Sequence, residues 1–312
     1  MCRPNGIRRV IVKMACLMRS CALGILATMR KSSLVRLGLL IILSGACWVA
    51  YSQMGSTPAK LNTVKIANDL YMIHNEIVPG NTTALITDDG VLLVDDKFAV
   101  DHDNLMAEVK KLSPKPVKYV INTHHHADHS GGNPAMQKMD VKVIASEQAR
   151  QNMLDAKQPG QPDIAVEHRA TVTLGGKTAE IYYFGRAHTN GDIVILFPQD
   201  RVLSAGDIFT FGDATPQLID YAGGGSAKEW TTTLDGALKL DFDSVVPGHG
   251  NLAKKADMMA FRNTTLALRN KVHEMQTQKK SRDEISQVLK SQFKWGDLQF
   301  LLSFDGILAE TR

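Results

Sequence analysis

Most of this chain lacks cysteine. All four cysteines (Cys2, Cys16, Cys21, Cys47) lie in the first 47 residues, and residues 48–312 contain none. Whatever folds beyond that point has no disulfide and no thiolate for zinc, so any metal must be held by His, Asp or Glu. The other end of the composition is equally one-sided. Residues 1–52 carry eight Lys or Arg and no Asp or Glu. Arg30, Lys31 and Arg36 introduce an apolar run, Leu34 to Ala50, that is short for a full membrane span.

This pattern reads as a signal peptide or leader over 1–52, with Ala50-Tyr51-Ser52 as a small-x-small cleavage site before Gln53. Met29 would give a leader of ordinary length, with residues 1–28 reflecting an upstream start. The expected location is periplasmic or secreted. An uncleaved membrane anchor is the alternative. A lipid anchor is another, since Leu43-Ser44-Gly45-Ala46-Cys47 resembles a lipobox one residue out of register. The net charge of +4 also belongs to the leader. Without it, 28 basic residues face 32 acidic ones, near −4. The basic isoelectric point therefore gives no support to a nucleic-acid partner.

Residues 53–61 (QMGSTPAKL) read as a flexible linker. Strands are expected at Val64–Ile66, Leu70–His74, Thr83–Thr87 and Val91–Asp95, with Asp88-Asp89-Gly90 as a hairpin turn. From Val100 to Leu112 the apolar positions share one helical face, and Ser113-Pro114 ends that helix. Residues 146–170 read as a helix and a surface loop, and Thr171–Phe184 as a hairpin turning at Gly175-Gly176. Further strands are expected at Val117–Ile121, Val141–Ala145, Ile193–Phe197, Val202–Ser204 and Ser244–Val246. A capping box at Ser226–Glu229 opens a helix to about Leu240, and another at Ser281–Glu284 lies in a helical C-terminal segment. Together these elements predict an α/β fold of two packed mixed sheets flanked by helices, αββα, in a single domain over 53–312.

The chemistry gathers in Tyr119–Pro134, YVINTHHHADHSGGNP. After the Val117–Ile121 strand, alternate side chains of an extended backbone face the same way. His124 and His126 can therefore hold one metal ion, while Asp128 and His129 follow at a bend and can face a second. Imidazole and carboxylate donors suit zinc first, and iron or manganese less well. Asn133-Pro134 offers a helix N-cap followed by proline at the first helical position. His125 points away from its neighbours and reads as a supporting residue.

H-x-H-x-D-H after a strand resembles the signature of the metallo-β-lactamase superfamily, and the likeness extends from about residue 62 to about residue 250. Three further motifs follow in the superfamily's order: Gly185-Arg186-Ala187-His188-Thr189, Ser204-Ala205-Gly206-Asp207 and Pro247-Gly248-His249-Gly250. The resemblance implies a first ion on His124, His126 and His188, a second on Asp128, His129 and His249, and Asp207 bridging both. It also implies two Zn2+ per chain and Asp128 as the residue handling the proton. Asp207 stands where the Cys-containing lactamases have cysteine, and His126 where flavo-diiron proteins use Glu.

The function so implied is a dinuclear zinc hydrolase cleaving an amide or ester bond of a small acyl substrate, β-lactamase-like. A glyoxalase II-like thioester hydrolase and a mono-iron sulfur dioxygenase-like enzyme are the alternatives. Asp95 is a candidate partner for a ligating imidazole. No cation follows Asp207, so Arg186, Lys228 or the Thr210 hydroxyl are the candidates for holding a substrate carboxylate. The expected partner is a small molecule, with membrane contact only through the leader or a lipid anchor. The oligomeric state is left open.

Overall fold

A computed structural model describes residues 57–75, 78–212 and 217–312; the leader reading over 1–52 lies outside them. Thirteen strands form two mixed sheets among the described residues. The first runs in chain order: β1 (Asn62–Lys65), β2 (Leu70–His74), β3 (Thr82–Thr87), β4 (Gly90–Val94), β5 (Val117–Ile121), β6 (Lys142–Ser146) and β7 (Ile164–Val166). It is antiparallel up to β4 and parallel from β4 to β7. The second has the order β13-β12-β11-β10-β9-β8: β8 (Arg169–Leu174), β9 (Lys177–Tyr183), β10 (Ile193–Phe197), β11 (Val202–Gly206), β12 (Ser244–Pro247) and β13 (Ala253–Lys254). Only β11 and β12 are parallel in it.

Alternation along the strands sorts side chains into layers. Leu92 and Val94 of β4 meet Ile193, Ile195 and Phe197 of β10 in an inter-sheet core. Val91 and Leu93 face outward instead, against Leu105 and Val109 of helix α1 (His102–Leu112). On the second sheet Val194 and Leu196 pack outward, in one cluster with Trp230 and Leu234 of a later helix and with Leu268 and Val272. This is the expected αββα sandwich.

Several boundaries differ from expectation. The linker reading over 53–61 fails in its described part, because Ala59 N–H donates to Asp101 Oδ1 at 2.6 Å and Leu61 is buried. Strands β7 and β13 are additional; at 3 and 2 residues they are too short to leave a periodic signal. Asp128 and His129 lie on a short helix, α2 (Ala127–Ser130), rather than at a bend.

Asn133 does not cap helix α3 (Asn133–Lys138). Gly132 holds that position, and the Asn133 amide donates instead to Asn122 Oδ1 and Gly160 O. Ser146 caps α4 (Glu147–Asp155), and Ser226 caps α5 (Ala227–Leu238). The chain closes with α6 (Lys255–Thr277), α7 (Arg282–Phe293, with its expected capping box), α8 (Asp297–Leu302) and α9 (Phe304–Glu310). Among the described residues no helix is long and apolar enough to cross a membrane.

Candidate metal centre

The parallel strands of both sheets end at one edge. There β4 leads into Asp95, β5 into Thr123–His129, β11 into Asp207 and β12 into His249, while His188 comes from the β9–β10 loop. A backbone hydrogen bond from Ile193 N to Thr123 O (2.9 Å) ties the two sheets beneath the site.

Ligand atoms of His124, His126 and His188 lie within 4.8 Å of one another, as do those of Asp128, His129 and His249, and those of His124, His129 and Asp207. His188 Nε2 is 2.9 Å from His126 Nδ1, so His126 turns its Nδ1 inward. Asp207 approaches both sides, with Oδ2 3.6 Å from His188 Nε2 and 3.5 Å from His249 Nε2, and Oδ1 3.3 Å from His129 Nε2. Asp128 Oδ2 is 3.3 Å from His249 Nε2. All seven side chains that the resemblance implied are thus gathered in one place.

The outward nitrogens are held as well. Asp95, at φ 63° just past β4, accepts from His129 Nδ1 (2.8 Å) and from the amide and hydroxyl of Thr123. Asp220 Oδ2 accepts from His126 Nε2 at 2.8 Å, and Leu218 O from His188 Nδ1 at 2.6 Å. These contacts fix ring orientation and tautomer.

The charges compensate one another. Burial works against ionised Asp207, yet the nearby His249 and His129 outweigh it and hold the carboxyl well below its ordinary value. Burial likewise works against protonated His249, and Asp207 and Asp128 overcome it, raising the ring to about 10. Burial wins at His188, pushed down to about 4, and at His124, well below its ordinary value. Those two imidazoles are neutral at physiological pH, the form that ligates.

Sequence reasoning missed Asp220, Leu218 and the loop that carries them. The signal was the run Gly223-Gly224-Gly225. A Cβ on Gly225 would lie 2.3 Å from the His188 carbonyl oxygen, so the chain passes against the His188 backbone where only glycine fits. Two substrate candidates do not reach the donors. Arg186 turns its guanidinium to Glu229 (2.8 and 3.0 Å) in an exposed ion pair. That contact also takes the Glu229 carboxylate, so only the Ser226 half of the expected capping box forms. Thr210 lines a cavity with Phe209, Phe261 and Phe293, and none of the seven donors lines it. His125 does not point away from its neighbours: its ring centroid lies 4.7 Å from that of His126, and its ring nitrogen groups with His126 and Asp220 within 4.8 Å. Its ring also lies beside Asn152, and its carbonyl accepts from Ser130 and Gln158.

Residues 76–249 match the family model of the metallo-beta-lactamase superfamily. The chain belongs to this superfamily. Its sequence is similar to a type 2 metallo-beta-lactamase of Bacillus sp. (strain 170), 27% identical over 73% of this chain and 96% of that relative. A type 2 metallo-beta-lactamase of Bacillus cereus is 28% identical over 62% of this chain and 75% of its own length. In fold it is similar to a metallo-beta-lactamase from Pontibacter korlensis, with a TM-score of 0.60 and 22% identity over 66% of this chain and 99% of that one.

The residues fit the superfamily's metal. His124 Nε2 is buried with no hydrogen-bond partner, while its Nδ1 faces the Thr123 hydroxyl at 3.1 Å. A bare buried ring nitrogen is costly, and a cation satisfies it. Imidazole and carboxylate donors without a thiolate suit zinc. The chain is a zinc-dependent hydrolase.

Proposed function

We propose that this superfamily member is a dinuclear zinc hydrolase that opens an amide or ester bond of a small acyl substrate. The observation that carries this is the overlap of the donor sets: three imidazoles on one side, Asp128, His129 and His249 on the other, and Asp207 within 3.6 Å of both. His124, His126 and His188 would hold the first ion, Asp128, His129 and His249 the second, and Asp207 would bridge.

When bound, the pair of ions supplies Lewis acidity and water of lowered pKa. The chain's own residues do the rest. Asp220, Asp95 and the Leu218 carbonyl keep His126, His129 and His188 in the ligating tautomer. Asp128 stays ionised next to His249 and His129, so its carboxylate can orient the attacking water and take its proton.

The substrate is a small molecule, and neither charge nor composition favours a nucleic acid. The type 2 metallo-beta-lactamase relatives favour a β-lactam or a similar acyl compound. Ile208-Phe209-Thr210-Phe211 after Asp207 offers no cation, and Arg186 is engaged by Glu229. Of the cations considered this leaves the exposed Lys228, besides hydroxyl or backbone donors, which bind more weakly than charge-assisted ones. Lactam hydrolysis should be modest, with a high KM. The leader pattern supports export to the periplasm, with membrane contact only through the leader or a lipid anchor.

Steady-state kinetics of zinc-loaded protein on a penicillin, a cephalosporin, a carbapenem, a lactone and a thioester test this reading. Hydrolysis of at least one acyl substrate, abolished by a chelator, is expected. Preference for the thioester would move the assignment to a glyoxalase II-like hydrolase. Inactivity on all five would overturn it.

A further inference from the structure

The segment from Leu218 to Tyr221 touches both sides of the first donor set. Leu218 O accepts from His188 Nδ1, Asp220 Oδ2 accepts from His126 Nε2, and Asp220 N–H donates to His188 O at 2.9 Å. The C-terminal helices grip the same segment. Ser303 Oγ accepts from Ile219 N–H (2.8 Å) and donates to Ile219 O (2.9 Å), closing both backbone groups of one residue. Glu310 accepts from Tyr221 OH at 2.8 Å, from the Ser226 hydroxyl and from Lys228 N–H at 3.3 Å. The Tyr221 ring lies directly on Gly306, where a Cβ would come within 2.0 Å of it. Ser303 and Ile219 are both fully buried. Ser303 and Glu310 lie outside the 76–249 stretch that the family model matches.

We infer that Ser303 and Glu310 are positioning residues for the first metal site, acting through Ile219, Asp220 and Tyr221 on His126 and His188. The inference rests on the metal reading of those histidines. Without the Ser303 hydroxyl, the buried Ile219 N–H and C=O each lose their partner, and the segment relaxes to satisfy them. Any such movement carries Asp220 and the Leu218 carbonyl away from the two rings they orient. Groups that orient ligating imidazoles change metal affinity by about 10–100-fold. Acting one contact further out, Ser303 and Glu310 should each change it by about 3–30-fold. The second donor set, oriented by Asp95, should keep its affinity.

The test compares Ser303→Ala, Glu310→Ala, Glu310→Gln and Val109→Ala in the full chain. Val109 is buried in α1, in a cluster that contains neither Ile219 nor any residue of α9, and serves as a purely structural control. Zinc dissociation constants are measured by competition with a chromophoric chelator, and the cobalt(II)-substituted protein gives a ligand-field absorption spectrum.

Ser303→Ala and Glu310→Ala should weaken one of two ions by 3–30-fold and alter the cobalt spectrum. Glu310→Gln, which retains a carbonyl acceptor, should restore both. Val109→Ala should lower Tm yet keep wild-type zinc constants and spectrum. Should Ser303→Ala not fold, Glu310→Ala at its half-buried position carries the same test. Wild-type constants and spectra in the alanine variants would overturn the inference alone. A wild-type chain that takes up no metal would overturn the metal reading and this inference together.

Discussion

Gly80 lies flat against the His129 imidazole: a Cβ on Gly80 would stand 2.3 Å from Cε1 and 2.5 Å from Nε2, the nitrogen that faces Asp207. The same short segment joins two donor loops. Gly80 N–H donates to Asp128 O, while Asn81 donates from its backbone to Gly248 O and from its amide to Pro247 O and Gly250 O. Gly80→Ala should therefore displace His129 and lower zinc affinity at the second site by at least about tenfold, since a buried clash of this size cannot relax without moving the ring. Gly296→Ala, whose Cβ would meet only Gln299 at 3.5 Å, should leave affinity unchanged. Equal zinc binding by the two variants in a chelator competition would show that Gly80 does not shape the site.

Asp95 and Asp220 orient different halves of the centre, and their amide variants should separate the two ions. Asp95→Asn replaces an acceptor for His129 Nδ1–H and the Thr123 hydroxyl; Asp220→Asn replaces an acceptor for His126. Each should weaken one ion by about 10–100-fold and spare the other. Calorimetric zinc titration of the metal-free variants reads this directly. Two wild-type isotherms, or loss of both ions in each variant, would contradict independent orientation.

Which parts of this site were legible in the sequence follows from distance along the chain. His124 and His126 were paired by the alternation of an extended backbone, with Asp128 and His129 beside them in the same run. Asp207 and His249 came from the likeness of their short motifs to those of the superfamily, since a polar residue closing a strand carries no metal signal alone. Asp220 lacks both signals: it lies 94 residues from His126, in a loop between β11 and α5, and only the fold brings the two within 2.8 Å. Arg186 shows the opposite error. Nearness to His188 in sequence made it a candidate, but its guanidinium finds Glu229, 43 residues on. The four layers were readable because strands such as Gly90–Val94 and Ile193–Phe197 are short, wholly buried apolar runs set between turns and amphipathic helices. Strand β13 was not, because two residues held by Asp243 and the Ser244–Val245 ladder carry no pattern of their own.

Lys97 gives a prediction about pH. Its ammonium is wholly buried next to the site and donates to Ile73 O (2.9 Å) and Gly80 O (2.7 Å). Burial pushes its pKa from 10.5 down to about 7, against the opposing pull of Asp101 and Asp95. Between those values the unfolded chain holds a proton that the folded chain has released, so this group adds stability as pH rises, by up to about 1.4 kcal/mol per pH unit. Denaturant unfolding of metal-free wild type and Lys97→Met should diverge in favour of wild type from pH 7 to pH 10 and stay parallel below pH 7. A pH-independent difference would mean that Lys97 remains charged in the fold.

The central claim is a two-zinc centre that performs hydrolysis. Its most direct test is native mass spectrometry of metal-free protein titrated with zinc, with turnover of the best acyl substrate followed in the same samples. The account predicts that the mass rises by two zinc ions and that activity grows with occupancy to a plateau at two equivalents. Saturation at a single zinc ion, or no hydrolysis at full zinc occupancy, would contradict it.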